Sequence, residues 1–157
     1  MNEPVLDAVR ALLNDAGVTF REISHAPTMT SAESAAVRGE PLEVGAKAIL
    51  LKTDETFRLF VLPADRKLDS AAVKRELGVK KTRFATPDEL LELTGLVPGS
   101  VPPFGRPVLP FELFADPSVG ATHGRVTFNA GSLTTSIILS TEDWVRAAKP
   151  TPFAFAA

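Results

Sequence analysis

The chain has 157 residues, with no cysteine, no tyrosine, two histidines and one tryptophan. That length favours one domain with a core of its own. The missing cysteines exclude disulfides, iron–sulfur clusters and thiol catalysis, and His25 and His123 alone cannot build a multi-histidine metal centre. A net charge of −2 with 45% hydrophobic residues describes an ordinary globular domain, not a uniformly basic nucleic-acid binder.

The first residues carry no basic segment followed by an apolar core, as a signal peptide would. No apolar run approaches the roughly 20 residues of a membrane span. A cytoplasmic protein without a membrane partner is expected.

Val5, Val9, Leu12, Leu13 and Ala16 recur at helical spacing, and Gly17 stops that helix. Residues 18–23 read as a strand and 25–30 as a loop. A short Ala-rich helix follows, capped by Ser31, or by Thr30 with Glu33 as a capping box, and closed by Gly39. Two β-rich runs, 46–53 and 57–63, flank Asp54-Glu55-Thr56 as a hairpin. Asp69 caps a helix that ends at Gly78, and 82–85 is a short strand. Thr86-Pro87-Asp88-Glu89 is a strong helix start, and that helix runs to Gly95.

Residues 98–110 hold five of the 13 prolines and two of the ten glycines, which predicts a stiff structured loop. Strands are expected over 108–114, 125–129 and 134–139. Ser140 or Thr141 caps a last helix carrying Trp144 and Val145. The order of types is neither a regular βαβ series nor all-β. It predicts an α+β fold: a mixed, strongly curved, barrel-like sheet with surrounding helices. Residues 1–147 are expected to form one domain, and 148–157 a loosely attached C-terminal tail.

Three features could carry chemistry. Lys47 opens the most apolar strand, on a face shared with Ile49 and Leu51. An ammonium there either meets an anion or carbonyl, or simply reaches water from a packed stem. The Gly99-Ser100-Val101-Pro102-Pro103-Phe104-Gly105 turn can aim amide N–H groups into a cavity that binds an anion or oxyanion. Residues 58–83 carry a net charge of +5 against −7 for the rest, so a local phosphate contact and a merely solvated face both remain open. His25 and His123 have no relay partner in sequence. Asp116 before Pro117 is either a turn residue or a pocket acid.

The order of these pieces resembles the YbaK/ProX family of aminoacyl-tRNA editing domains, which also occurs as an insertion in some prolyl-tRNA synthetases. The resemblance rests on His25-Ala26-Pro27 with Thr30-Ser31-Ala32-Glu33, on Gly45-Ala46-Lys47, and on Leu62 through Asp69. It rests further on Gly95 through Gly105, on Asn129-Ala130-Gly131-Ser132, and on the helix at 140–145. It covers about residues 5–147.

The resemblance implies the family's fold and a trans-acting deacylase that hydrolyses the ester of a mischarged tRNA. By position it implies proline tRNA carrying a small wrong amino acid such as Cys or Ala. Lys47 would contact the terminal nucleotide or the amino acid. The backbone of Gly99, Ser100, Val101, Pro102 and Pro103 would orient the ester carbonyl. His25, Thr30, Phe104, Gly105, Asp116, Asn129 and Gly131 would form the substrate-binding wall. Water, helped by the terminal ribose hydroxyl, would be the nucleophile, with no metal and no cofactor.

One departure stands out. The alanine-editing branch has Asn-Ala-His-Pro where this chain has Asn129-Ala130-Gly131-Ser132. Gly131 is like the cysteine-editing branch, whereas Val101-Pro102-Pro103 is like the alanine branch, and serine or threonine is also open. The partners implied are the 3′ end of aminoacyl-tRNA and a synthetase. The alternative readings are an inactive module that binds aminoacyl-tRNA or a synthetase, and a small-molecule hydrolase of another class.

Overall fold

The computed structural model describes residues 3–28 and 30–157. Positions 1 and 2 of the expected domain and Met29 of the expected 25–30 loop therefore lie outside the described residues. In chain order the elements are α1 (Glu3–Asp15), β1 (Arg21–Ser24), α2 (Ser31–Arg38), β2 (Ala46–Thr53), β3 (Thr56–Pro63), α3 (Ser70–Leu77) and β4 (Thr82–Phe84). They continue with α4 (Pro87–Thr94), β5 (Leu113–Ala115), β6 (Arg125–Asn129), β7 (Thr135–Ser140), α5 (Thr141–Ala148) and β8 (Thr151–Pro152). No helix among the described residues is long and apolar enough to cross a membrane.

Helix boundaries follow local chemistry. Thr30, not Ser31, caps α2. Its hydroxyl accepts the Glu33 N–H at 3.1 Å, and the Glu33 carboxylate accepts the Thr30 N–H at 3.1 Å. Thr86 and Glu89 repeat that reciprocal box on α4, with Pro87 at its first position. The expected 108–114 strand shortens to three residues. Val108 and Leu109 donate instead to the Gly105 carbonyl in a turn, and Pro110 has no N–H for a ladder.

The α+β class and the mixed strand directions agree with the sequence reading, but the barrel-like sheet does not. There are two open sheets: an antiparallel one ordered β1-β7-β6, and a mixed one ordered β4-β2-β3-β5-β8. Their residues share one core, and among the described residues the β-bridge that links them is Gly45–Thr127. Closure would require β6 to pair along β2. Instead the end of β6 pairs with β7, while the Asn129 side chain donates to the Gly99 carbonyl at 2.8 Å and Gly131 N–H in the next turn donates to the Ser100 carbonyl at 2.9 Å. The cavity described below lies beside this bridge, lined by Gly45, Phe128 and Asn129.

The β2–β3 ladder is covered on both faces, because alternate residues enter different cores. Leu50, Leu59 and Val61 join the main cluster with Val9, Leu13, Phe104, Phe128 and Trp144. Leu51, Phe60 and Leu62 join a second cluster with Val73, Phe114 and Phe155. Ile49 and Leu51, the neighbours of Lys47, thus lie on a covered face.

The C-terminal segment is docked rather than loose. β8 adds parallel to β5, and Phe155 is 1% exposed in edge contact with Phe60, ring centroids 5.4 Å apart. Asp116 holds it in place. One carboxylate oxygen accepts the Phe155 and Ala156 N–H groups at 2.8 and 2.7 Å, and the other accepts the Ser118 N–H at 2.9 Å. Burial pushes this carboxyl up, but the bonds from Ser118, Ala156 and Phe155 outweigh it, so its pKa lies below the ordinary value. A depressed carboxyl stabilises the fold above its unfolded pKa and loses that contribution as pH falls through the folded one. Acid is therefore expected to release the tail first, seen as faster hydrogen exchange at the Phe155 and Ala156 amides. Asp116→Asn places an amide against two donors and is expected to cost about 2–3 kcal/mol, a Tm fall of roughly 5–10 °C. An unchanged Tm would refute the clamp.

Candidate active site

A cavity of about 140 Å³ opens beside the Gly45–Thr127 bridge, lined by residues from five parts of the chain. Lys47, Ala46 and Ala48 come from β2, Gly45 from the turn before it and Ala64 from beyond β3. Thr30, Ser31, Ser34 and Arg38 come from α2 and its cap, with Thr28 from the preceding loop. Phe128 and Asn129 close β6, and Gly99 and Val101 come from the Pro/Gly loop. Lys47 and Gly99 of that loop, 52 positions apart, meet here.

Lys47 is half-buried, and its ammonium makes no hydrogen bond or ion pair with any described residue. Burial lowers its pKa. Asp65 opposes that shift and Lys67 reinforces it. An ammonium held without a close counter-ion is poised for an anion or a polarised carbonyl.

The Pro/Gly loop is locked from behind. Ser100 is fully buried: its hydroxyl donates to the Val97 carbonyl at 2.7 Å, and its N–H donates to the same carbonyl at 3.1 Å. That bonding makes Ser100 a turn-closing residue. Gly99 adopts φ +88°, a backbone region that disfavours a side chain. Pro102 and Pro103 have no N–H to offer, and the Ser100 N–H is spent. Within Gly99–Pro103, the Gly99 and Val101 N–H groups remain without an acceptor among the described residues, and both residues line the cavity. The free backbone donors of the five-residue stretch are thus two amides.

Arg38 was missed in the sequence. As the last residue of α2 it looks like any helix-terminal arginine complementing the dipole. In the fold its guanidinium turns inward and donates to three neutral oxygens: Ser136 Oγ at 2.9 Å, Thr127 Oγ1 at 2.9 Å and Asn129 Oδ1 at 3.1 Å. Burial pulls its pKa down to about 10, against the favourable field of Glu40. Asn129 is the junction, joining Arg38 on one side to the Gly99 carbonyl on the other. His25 reaches the same network, with Nε2 at 2.7 Å from Ser136 Oγ, while its Nδ1 donates to the Ala26 carbonyl at 2.8 Å.

Of the residues assigned to the site by position, Lys47, Thr30, Gly99, Val101 and Asn129 line the cavity. His25 stands behind it. Gly131 backs the loop, where a Cβ would meet Val5 Cγ1 at 2.9 Å. Pro103 accepts the Trp144 indole N–H at 3.1 Å, and Phe104 is a core residue in edge contact with Phe128. A Cβ on Gly105 would collide with the Phe111 carbonyl, so that glycine serves packing. Asp116 lies at the tail, and Pro102 is buried outside the lining. His123, left open in sequence, pairs with Glu43 at 3.1 Å.

A family model described as the aminoacyl-tRNA editing domain matches residues 25–147. The multifunctional Ser/Thr-tRNA deacylase ProXp-y of Escherichia coli (strain K12) is 36% identical over 145 residues, covering 89% of this chain and 86% of that protein. The proline–tRNA ligase of Bacillus licheniformis is 35% identical over 98 residues, 62% of this chain but 17% of the ligase. Among solved structures, hypothetical protein APE2540 superposes with a TM-score of 0.84 at 26% identity, over 95% of this chain and 99% of that one. A candidate trans-editing enzyme for prolyl tRNA synthetase superposes with a TM-score of 0.82 at 23% identity over 98% of both chains, a likeness of fold. With one cavity joining the lysine strand to the loop, and a family match spanning most of its length, the chain belongs to the aminoacyl-tRNA editing domain family.

Proposed function

We propose that this protein is a trans-acting deacylase that hydrolyses the ester between a small wrong amino acid and the terminal adenosine of a tRNA. The observation that carries the reading is the shared cavity of Lys47 with the free amides of Gly99 and Val101. An ester is already activated, so orientation and carbonyl polarisation can suffice. Lys47 holds the terminal nucleotide or the substrate's carbonyl side, and the two amides face the oxygen on which charge develops. Water attacks, assisted by the neighbouring ribose hydroxyl.

The cavity has room for roughly five waters' share of volume, which suits a small side chain. Its wall is rich in hydroxyls: Thr28 and Ser34 lie 2.7 Å apart through their oxygens, beside Thr30 and Ser31. That wall favours serine or threonine over the cysteine or alanine first implied. It is also the pairing named for the E. coli relative. Proline tRNA remains the tRNA this reading assigns.

The test is a panel of proline tRNA charged with serine, threonine, alanine or cysteine. Serine or threonine release is expected to exceed alanine release by roughly 3- to 10-fold, the worth of one added hydrogen bond. Full stability of every ester would overturn the deacylase reading. Binding without turnover would move the chain to a non-catalytic module.

A further inference from the structure

We propose that a basic cleft remote from the cavity is the docking surface for the acceptor arm of tRNA, with Lys74, Lys80 and Lys81 on phosphates and Phe84 under an unstacked base. This inference rests on the deacylase reading for its substrate, but not on turnover for its test.

The cleft encloses about 410 Å³ and is lined by Lys52, Lys74, Lys80, Lys81 and Arg83, with Asp54 and Glu55 at its rim. The two carboxylates leave the cleft net positive. Asp54 Oδ1 accepts the Lys80 and Lys81 N–H groups at 3.0 and 2.9 Å, so it braces the loop that carries both lysines. Glu55 stands in solvent and meets only Lys52, at 3.8 Å. Arg83 is engaged by Glu89 at 2.7 and 2.9 Å. Lys74, Lys80 and Lys81 are exposed and form no ion pair with any described residue. Three unpaired ammonium groups around one concavity, on a chain that is acidic overall, form a localised anion surface.

Its position relative to Lys47 supplies the second argument. Lys47 and Leu51 face the same side of β2, four residues and so about 13 Å apart. Leu51 pairs across the ladder with Phe84, the most exposed large apolar side chain among the described residues at 63%. Phe84, Arg83, Leu51 and Leu68 border one shallow hollow, which shares Thr82 and Arg83 with the cleft. Lys67, beside Leu68, lies close enough to Lys47 to influence its charge. The face of β2 that carries Lys47 thus also carries Leu51 beside the exposed Phe84 ring, and Thr82 and Arg83 join that hollow to the lysine cleft at the sheet edge. A stacking ring followed by cations fits a single-stranded 3′ end that continues into a charged stem.

The test is binding of unfractionated deacylated tRNA at salt between about 50 and 200 mM. For the triple variant Lys74→Gln, Lys80→Gln, Lys81→Gln, the slope of log Kd on log salt is expected to flatten by about 2–3. Kd at the lowest salt is expected to rise about tenfold or more. Phe84→Ala is expected to weaken binding roughly 5-fold or more with the slope unchanged. The triple variant is also expected to cleave 3′-aminoacyl-adenosine at the wild-type rate. An unchanged Kd and slope in the triple variant overturns the proposal. So does an equal loss when Arg10, Arg21 and Arg146 are changed to Gln instead, because attraction would then be diffuse. Failure of the deacylase reading has a different signature: wild-type protein cleaves no ester, whatever its lysine-dependent tRNA binding.

Discussion

Lys47→Met is expected to reduce kcat/KM for deacylation by roughly 10²–10³-fold, the usual worth of one positioned electrostatic contact in a transition state. Its Tm is expected to change by no more than about 2 °C, or to rise. The argument lies in the sign of the electrostatics. Burial disfavours the Lys47 charge in the folded state, and no counter-ion within bonding distance compensates. A lysine whose pKa is lowered by folding is a cost to stability while it is charged. Methionine keeps most of the stem's packing and removes that cost. Loss of activity with preserved or increased stability is the pattern of a functional charge held against its own desolvation. Thermal melting and steady-state kinetics on the same preparation check it. A variant with wild-type kcat/KM would remove Lys47 from the chemistry. A variant that unfolds would instead show that the ammonium is structural.

Arg38→Met is expected to damage both stability and rate. The guanidinium supplies a hydrogen bond to Thr127, Asn129 and Ser136, and the first and last of these residues are fully buried. Each deserted buried acceptor costs on the order of 1–3 kcal/mol, less than additively here because Ser136 still donates to Asn129. A total near 3 kcal/mol corresponds to a Tm fall of roughly 6–12 °C. The rate effect passes through Asn129. Once its carbonyl loses Arg38, its amide holds the Gly99 carbonyl less firmly, and the two free amides of the loop lose their aim. A misplacement near 1 Å can cost about 10²-fold, so kcat is expected to fall about 10- to 100-fold. The assay belongs at a temperature where circular dichroism shows the variant fully folded. Wild-type kcat there would leave Arg38 a purely structural role. Arg38→Lys is expected to resemble Arg38→Met, because one ammonium cannot span three acceptors in a fork.

These residues divide according to how local their cause is. The caps at Thr86 and Asp69 could be read from the chain because a cap and its partner lie within one turn. The β2–β3 hairpin could be read because its ladder is continuous and its link is short. Lys47 could be singled out because a lysine in an apolar strand is locally anomalous. Arg38 could not, since its meaning depends on Thr127, Asn129 and Ser136, at least 89 positions away.

Asp116 shows the converse. Its turn chemistry with Ser118 is local, but its second oxygen serves Phe155 and Ala156, and that made the C-terminal segment part of the core. The short strands β5 and β8 likewise exist through pairing with β3 and with each other, not through their own propensity.

Composition had already narrowed the chemistry before any folding was considered. Without cysteine or a histidine set, thiol chemistry and a multi-histidine metal centre were closed to this chain. Those exclusions depend only on which functional groups exist, so no fold can reverse them. The convergence of Lys47, Gly99, Val101 and Asn129 depends instead on two sheets failing to close. The Asn129 side chain ties the end of β6 to the Pro/Gly loop, a partner 30 residues distant that local sequence does not encode.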